Sequence, residues 1–175
     1  MDDFSRFIIA WRLQTDMTSD SFIEVVQDAV DLTGMTDVPW EHRTRLLSDN
    51  GPGYISHSFG EYLRLVGIRH ILASPFHPRT NGKLERYHRT IKLDVNQIPY
   101  DVPGNLEVAI TEFVNYYNNR RYHKALGNVN PPDVLDGRRE QILQKRKKVQ
   151  AQIFQPRRLY NQQFRELSQS APNLH

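Results

Sequence analysis

Cysteine is absent from the 175 residues, which excludes disulfides and thiolate metal sites. Any metal must then be held by carboxylates or histidine. No run of about 18 apolar residues occurs, so no membrane-spanning helix is expected. No basic stretch followed by an apolar one marks a secretory leader. Internal repeats are absent too. Apolar residues are few, 38% against 25% charged, so part of the chain is expected to be an exposed or nucleic-acid-facing extension rather than core. Together these features point to the cytoplasm.

Net charge is only +3, but it is unevenly spread. Residues 138–158 carry eight basic side chains and one acidic one. That local excess of +7 leaves the remainder of the chain at −4. A basic tail on a mildly acidic body suits a polyanionic partner, most simply nucleic acid. A solvated helix face is the plainer alternative.

Periodicity and breakers divide the chain. Arg6 to Leu13 is rich in β-branched and aromatic residues and predicts a strand. Thr18 or Ser19 caps a helix over about 21–32, with Gly34 just beyond its end. A short strand at 45–48 runs into Asp49-Asn50-Gly51-Pro52-Gly53. A helix over about 56–66 presents Phe59, Leu63 and Val66 on one side. Another strand follows at 68–73, then a Pro-rich loop at 74–81. Helices are predicted from Gly82 to about Val95 and, after a linker over 99–104, on to about Asn119. A turn of helix opens at Pro131-Pro132, and a basic helix runs from Arg138 to about Phe154. The last fifteen residues read as loose. The alternation of strand and helix is that of an α/β protein.

Two carboxylates stand where chemistry is possible. Asp49 follows a short apolar strand at the point where the chain breaks. Glu85 lies in the first turn of the helix after the next strand. Ligands of open α/β sheets bind outside the carboxyl ends of strands, so both residues can face one space. Two hard oxygen ligands suit Mg²⁺, which takes carboxylates, waters and substrate phosphates. Such ions can drive in-line displacement at phosphorus. On spacing alone, an ordinary turn and an ordinary helix start hold the same residues. The helix pattern sharpens the picture. Leu84, Tyr87, Ile91 and Val95 make a core stripe, and Glu85, Arg89 and Lys92 cluster on the adjacent polar face, with His88 at its edge. Cations one and two turns beyond a carboxylate can hold phosphate backbone beside a metal. The plain reading is an i, i+4 Glu–Arg pair.

Three stretches then carry a family likeness: LLSDNGPGYIS, SPFHPRTNGKLERYHRTIK and FVNYYNNRRYHKALGNVNPPDVLDG. In that order they resemble the integrase core of bacterial insertion-sequence transposases, of the DDE type, with retroviral integrases as more distant relatives. The likeness runs from about Asp2 to Gly137. It implies a ribonuclease H-like fold and Mg²⁺- or Mn²⁺-dependent cleavage and strand transfer of DNA. Asp49 would be the second acidic metal ligand and Glu85 the third. Arg89 and Lys92 stand where such enzymes place cations against DNA. Lys83, His77 and Asn81 belong to the loop and helix start that contact DNA, and His77 is read as a DNA contact rather than a metal ligand. Tyr116, Tyr117, Asn118, Arg121, His123 and Leu126 match the segment that closes the family's core, where the tyrosines pack. Mobile-element ends and target DNA would be the substrates. A second copy or a complementing transposase chain would be the partner, and a bacterial, nucleoid-associated location follows.

Against the family pattern, the first two strands and the first acidic ligand have no counterpart. Asp2 and Asp3 match the turn before the third strand. The expected architecture is therefore a partial core over 1–137 followed by a basic helical tail over 138–175. Three readings stay open: a metal-dependent strand-transfer core with impaired activity, a catalytically inactive DNA-binding fragment, and the remnant of a mobile element.

Overall fold

The computed structural model describes residues 1–73, 82–97 and 99–170. They form two compact units, Met1–Arg121 and Tyr122–His175.

In the first unit, α1 spans Ser19–Thr33, capped by Thr18 and closed by Gly34 in the left-handed conformation at φ 61°. Strand β1 (Arg45–Ser48) pairs in parallel with β2 (Arg69–Leu72), and Arg45 sits opposite Arg69. Between them lies α2 (His57–Leu65), whose N-cap Ser56 accepts a bond from the Phe59 amide. Two helices follow, α3 (Gly82–Val95) and α4 (Pro103–Asn119). Pro103 opens α4 at a position where a missing N–H costs nothing.

The apolar periodicities sort into two clusters. Val30, Phe59, Leu63 and Ile68 are buried between α1, α2 and the sheet, and Phe22 and Tyr54 stack there with centroids 4.1 Å apart. Fully buried Phe59 and Leu63 each contribute about 2 kcal/mol by leaving water. The second cluster joins Ile8 to Tyr87 and Val95 of α3 and to Phe113, Val114 and Tyr117 of α4. The predicted α3 stripe holds at Tyr87, Ile91 and Val95, but Leu84 is 40% exposed. Tyr117 packs edge-on against Tyr87, whereas its neighbour Tyr116 stays half in solvent.

Residues 6–13 do not form the predicted strand. They are rich in strand formers, but among the described residues the sheet holds only β1 and β2, and neither pairs with this segment. Strand propensity without a partner ladder leaves an extended chain. Its buried backbone is instead satisfied by a side chain. Ile8 N–H donates to Asn118 Oδ1 at 2.9 Å, and Asn118 Nδ2 donates to the Ile8 carbonyl at 3.0 Å.

In the second unit, α5 (Pro131–Leu135) and the first turns of α6 (Arg139–Ser170) enclose Leu126, Val129 and Val134 against Ile142 and Leu143. Arg139 donates to the Leu126 carbonyl, and Arg146 to the carbonyls of Gly127 and Asn128. The basic helix extends well past the predicted end near Phe154 and passes through Pro156. Residues 157–170 contain no glycine and many strong helix formers, which accounts for the extension. Among the described residues no helix is long and apolar enough to cross a membrane.

Removing the Asn118 carboxamide strands two buried backbone groups of Ile8. The substitution Asn118→Ala is expected to cost about 2 kcal/mol, read as a lower urea midpoint. An unchanged midpoint would mean that water replaces the carboxamide at no cost.

Candidate active site

Strand β1 ends at Ser48, and Asp49 follows directly, exposed to solvent. The turn beyond it is organised by the aspartate itself. Asp49 Oδ1 accepts the Gly51 amide at 2.9 Å. A Cβ on Gly51 would stand 3.1 Å from that oxygen, so glycine lets the loop close onto the carboxylate. Tyr54 and Ile55 then donate back to the Gly51 carbonyl. Gly53 is held more tightly still, because a Cβ there would strike the Phe22 ring.

Asn50 links this turn to the second strand. Its Nδ2 donates to the Ala73 carbonyl at 3.0 Å, and the Ala73 amide donates to the Ser48 carbonyl at 2.8 Å. Ala73 is the last described residue before α3. The Asp49 turn and the exit of β2 are thereby tied together. Below them, Ser48 Oγ lies 2.8 Å from His70 Nε2. No sequence pattern singles out His70; its role comes from register alone. Burial pushes its imidazole below the ordinary range. Burial also raises the Tyr54 phenol, and the nearby Asp49 charge adds to the effect.

Glu85 lies in the first turn of α3 and is exposed. The plain i, i+4 reading predicts an ion pair with Arg89, yet among the described residues Glu85 has no ion pair and no side-chain hydrogen bond, and neither do Arg89 or Lys92. Lys83 is differently placed: its ammonium pairs with Asp3 Oδ2 at 2.6 Å and donates to the Asp3 carbonyl. Asp2 is occupied as well, accepting both the amide and the hydroxyl of Ser5. His77 and Asn81 fall outside the described residues. Asp49 and Glu85 offer oxygen donors of the type a hard divalent cation takes. Among the described residues, however, no three histidine, aspartate or glutamate side chains converge as a metal site. The donor set fits in kind and falls short in number.

Two models described as "Integrase core domain" match this sequence, one over residues 1–78 and the other over 66–131. Together they mark residues 1–131 as an integrase core. Over 98 residues this integrase core is 32% identical to the Gag-Pro-Pol polyprotein of Mason-Pfizer monkey virus, covering 56% of the chain and 5% of the relative. The corresponding figure for Simian retrovirus SRV-1 is 31%, with the same coverage. The chain thus spans about a twentieth of the curated relatives it matches. Among solved structures, the catalytic core domain of BIV integrase superposes with a TM-score of 0.55 at 20% identity, covering 79% of this chain and 84% of that one. The HTLV-2 integrase catalytic core domain, solved in complex with magnesium, also scores 0.55 at 22% identity, covering 74% and 77%. These likenesses establish the ribonuclease H-like integrase-core fold expected from the motifs.

Two imidazoles give the core a pH signature, His70 partly buried and His88 at the surface beside Lys92. His70 is shifted down by burial, and His88 by burial and by Lys92. Each is harder to protonate folded than unfolded, so neither costs stability above the ordinary value near 6.5, and both cost stability as pH falls through it. The thermal midpoint is expected to drop from about pH 7 to about pH 5, and less steeply in His70→Asn. A parallel drop in that variant would remove His70 from the account.

Proposed function

We propose that this integrase core acts in DNA integration, supplying the second and third acidic ligands of a metal-dependent strand-transfer site. The observation that carries this reading is Asp49. It stands at the carboxyl end of β1, locked in an Asp-Asn-Gly turn, and no described cation neutralises it. Evolutionary likeness to integrase cores supports the same assignment, and the SPFHPRTNGKLERYHRTIK stretch favours a bacterial insertion-sequence transposase acting near the nucleoid. Mg²⁺ or Mn²⁺ held by Asp49 and Glu85 would stabilise charge at a phosphorus undergoing in-line displacement. Around it, Arg89 and Lys92 hold the phosphate backbone of a mobile-element end or of target DNA. Lys83, once released from Asp3, adds a third cation, and His77 and Asn81 contact the same strand. Because no three described carboxylates or histidines converge as a metal site, the reading assigns a further ligand to another segment or to a partner chain, in a homo-oligomer or with a complementing transposase. Joining by the isolated chain is correspondingly weak.

Electron paramagnetic resonance of Mn²⁺, alongside a gel assay for joined DNA, tests this. Weak Mn²⁺ binding and traces of joined product are expected, both lost in Asp49→Asn and in Glu85→Gln with DNA binding retained. Binding and joining that survive both substitutions would sink the proposal.

A DNA-binding role without catalysis is favoured by one feature, the exposed length of α6. Lys145, Lys147, Lys148, Arg157 and Arg158 are all exposed there. Arg139 and Arg146 are engaged by carbonyls of their own unit, so cutting the chain at residue 138 would also uncover its core. Replacing the five exposed cations by glutamine is the cleaner test. The slope of log affinity against log salt is expected to flatten by about four, with the fold intact. An unchanged slope would make α6 an ordinary solvated helix.

A further inference from the structure

The integrase reading uses the carboxyl ends of the two strands. Their amino ends hold a second group of side chains. Arg45 and Arg69 begin β1 and β2 and face each other in register. Parallel neighbours lie about 4.8 Å apart, and like charges set directly opposite each other destabilise a sheet. Neither arginine has an ion pair or a side-chain hydrogen bond among the described residues, and both are exposed. The pair is thus maintained against its own repulsion with nothing in the described chain to relieve it.

Both arginines line a cavity of about 270 Å³, together with Trp40, Glu41, Arg43 and Gly67. Arg43 forms part of its wall. Its guanidinium donates to the carbonyls of Thr36, Val38 and Val66, so its charge is fixed in place but met by no carboxylate among the described residues. Three guanidiniums therefore surround one cavity against the single carboxylate of Glu41. Trp40 remains 60% exposed. Its ring lies over Gly67, where a Cβ would sit 2.9 Å from two ring carbons and would collide with Arg43. Gly67 is in the left-handed region at φ 71°, so both backbone and space reserve that position for glycine. An indole packed on one side and largely open to solvent offers a surface for a second ring.

We infer that this cavity binds a nucleoside phosphate, with the phosphate between Arg45 and Arg69 and the base on Trp40. Guanidinium pairs suit phosphate oxygens, base–indole stacking tolerates any base, and the volume suits about one nucleotide unit. The cavity lies roughly 13 Å along β1 from Asp49, at about 3.3 Å per residue. A strand engaged there is therefore held apart from the reacting ends. The inference rests on the DNA reading only for the source of the strand; the pocket chemistry is the same for a free nucleotide.

Tryptophan fluorescence of the full chain, titrated with deoxyadenosine monophosphate and with single-stranded oligothymidylate, tests it. Quenching is expected, absent in Trp40→Phe and shifted to about tenfold higher ligand concentration in Arg45→Gln and in Arg69→Gln. All three side chains are exposed, so these variants are expected to fold, and circular dichroism checks that they do. Tighter binding of the oligonucleotide than of the mononucleotide marks a nucleic-acid strand as the occupant, whereas equal binding marks a free nucleotide. Quenching that persists in Trp40→Phe, or that ignores both arginine substitutions, overturns the inference. In that case the arginines only keep a sheet edge from self-association, and light scattering rises in their variants. A gel shift with duplex DNA separates the two proposals: retained duplex binding with no Trp40 response defeats this one and spares the integration reading.

Discussion

Buried backbone must be hydrogen-bonded, and in this protein a side chain 110 residues away meets that requirement for Ile8. Asn118 takes both the N–H and the C=O of Ile8, in the way a neighbouring strand would. Residue 8 and residue 118 are thereby joined across the cluster formed by Tyr87, Val95, Phe113 and Tyr117. Without that pairing, the extended N-terminal segment would bring unsatisfied polar groups into an apolar region. The same cluster packs α3 onto α4 through Tyr87, Phe113 and Tyr117, and so fixes the helix that carries Glu85.

The two ends of the small parallel sheet are chemically opposite. At the carboxyl ends, Asp49 is held by a glycine amide and Asn50 reaches across to the exit of β2. At the amino ends, two arginines stand side by side next to an open indole. A carboxylate at one end suits cations and activated phosphates. Guanidiniums and a ring at the other suit a nucleotide unit. Both arrangements rest on the same four-residue register, which sets Ser48 against Leu72 as surely as Arg45 against Arg69.

Much of this organisation was legible in the residues. The helix of Ser19–Thr33 was marked by its Thr18 cap and by Gly34. The strands around 45–48 and 69–72 were marked by apolar runs bounded by breakers, and α3 by its 3.6-residue stripe. The strand predicted over residues 6–13 failed because propensity describes the segment, while a strand needs a partner. The basic helix proved longer than predicted because its polar, helix-forming end resembles a loose tail in composition.

The sequence by itself carried the integrase-core likeness and most of the order of elements, and it singled out Asp49 and Glu85 as candidates, since each is written in local pattern and motif. Only the tertiary structure decided which groups meet. It engaged Lys83 with Asp3, left Glu85 unpaired with Arg89, joined Asn118 to Ile8 and placed Arg45 opposite Arg69. These are contacts between residues far apart in the chain or between alternative partners on one helix. They follow from strand register and helix packing, which no single stretch of residues encodes.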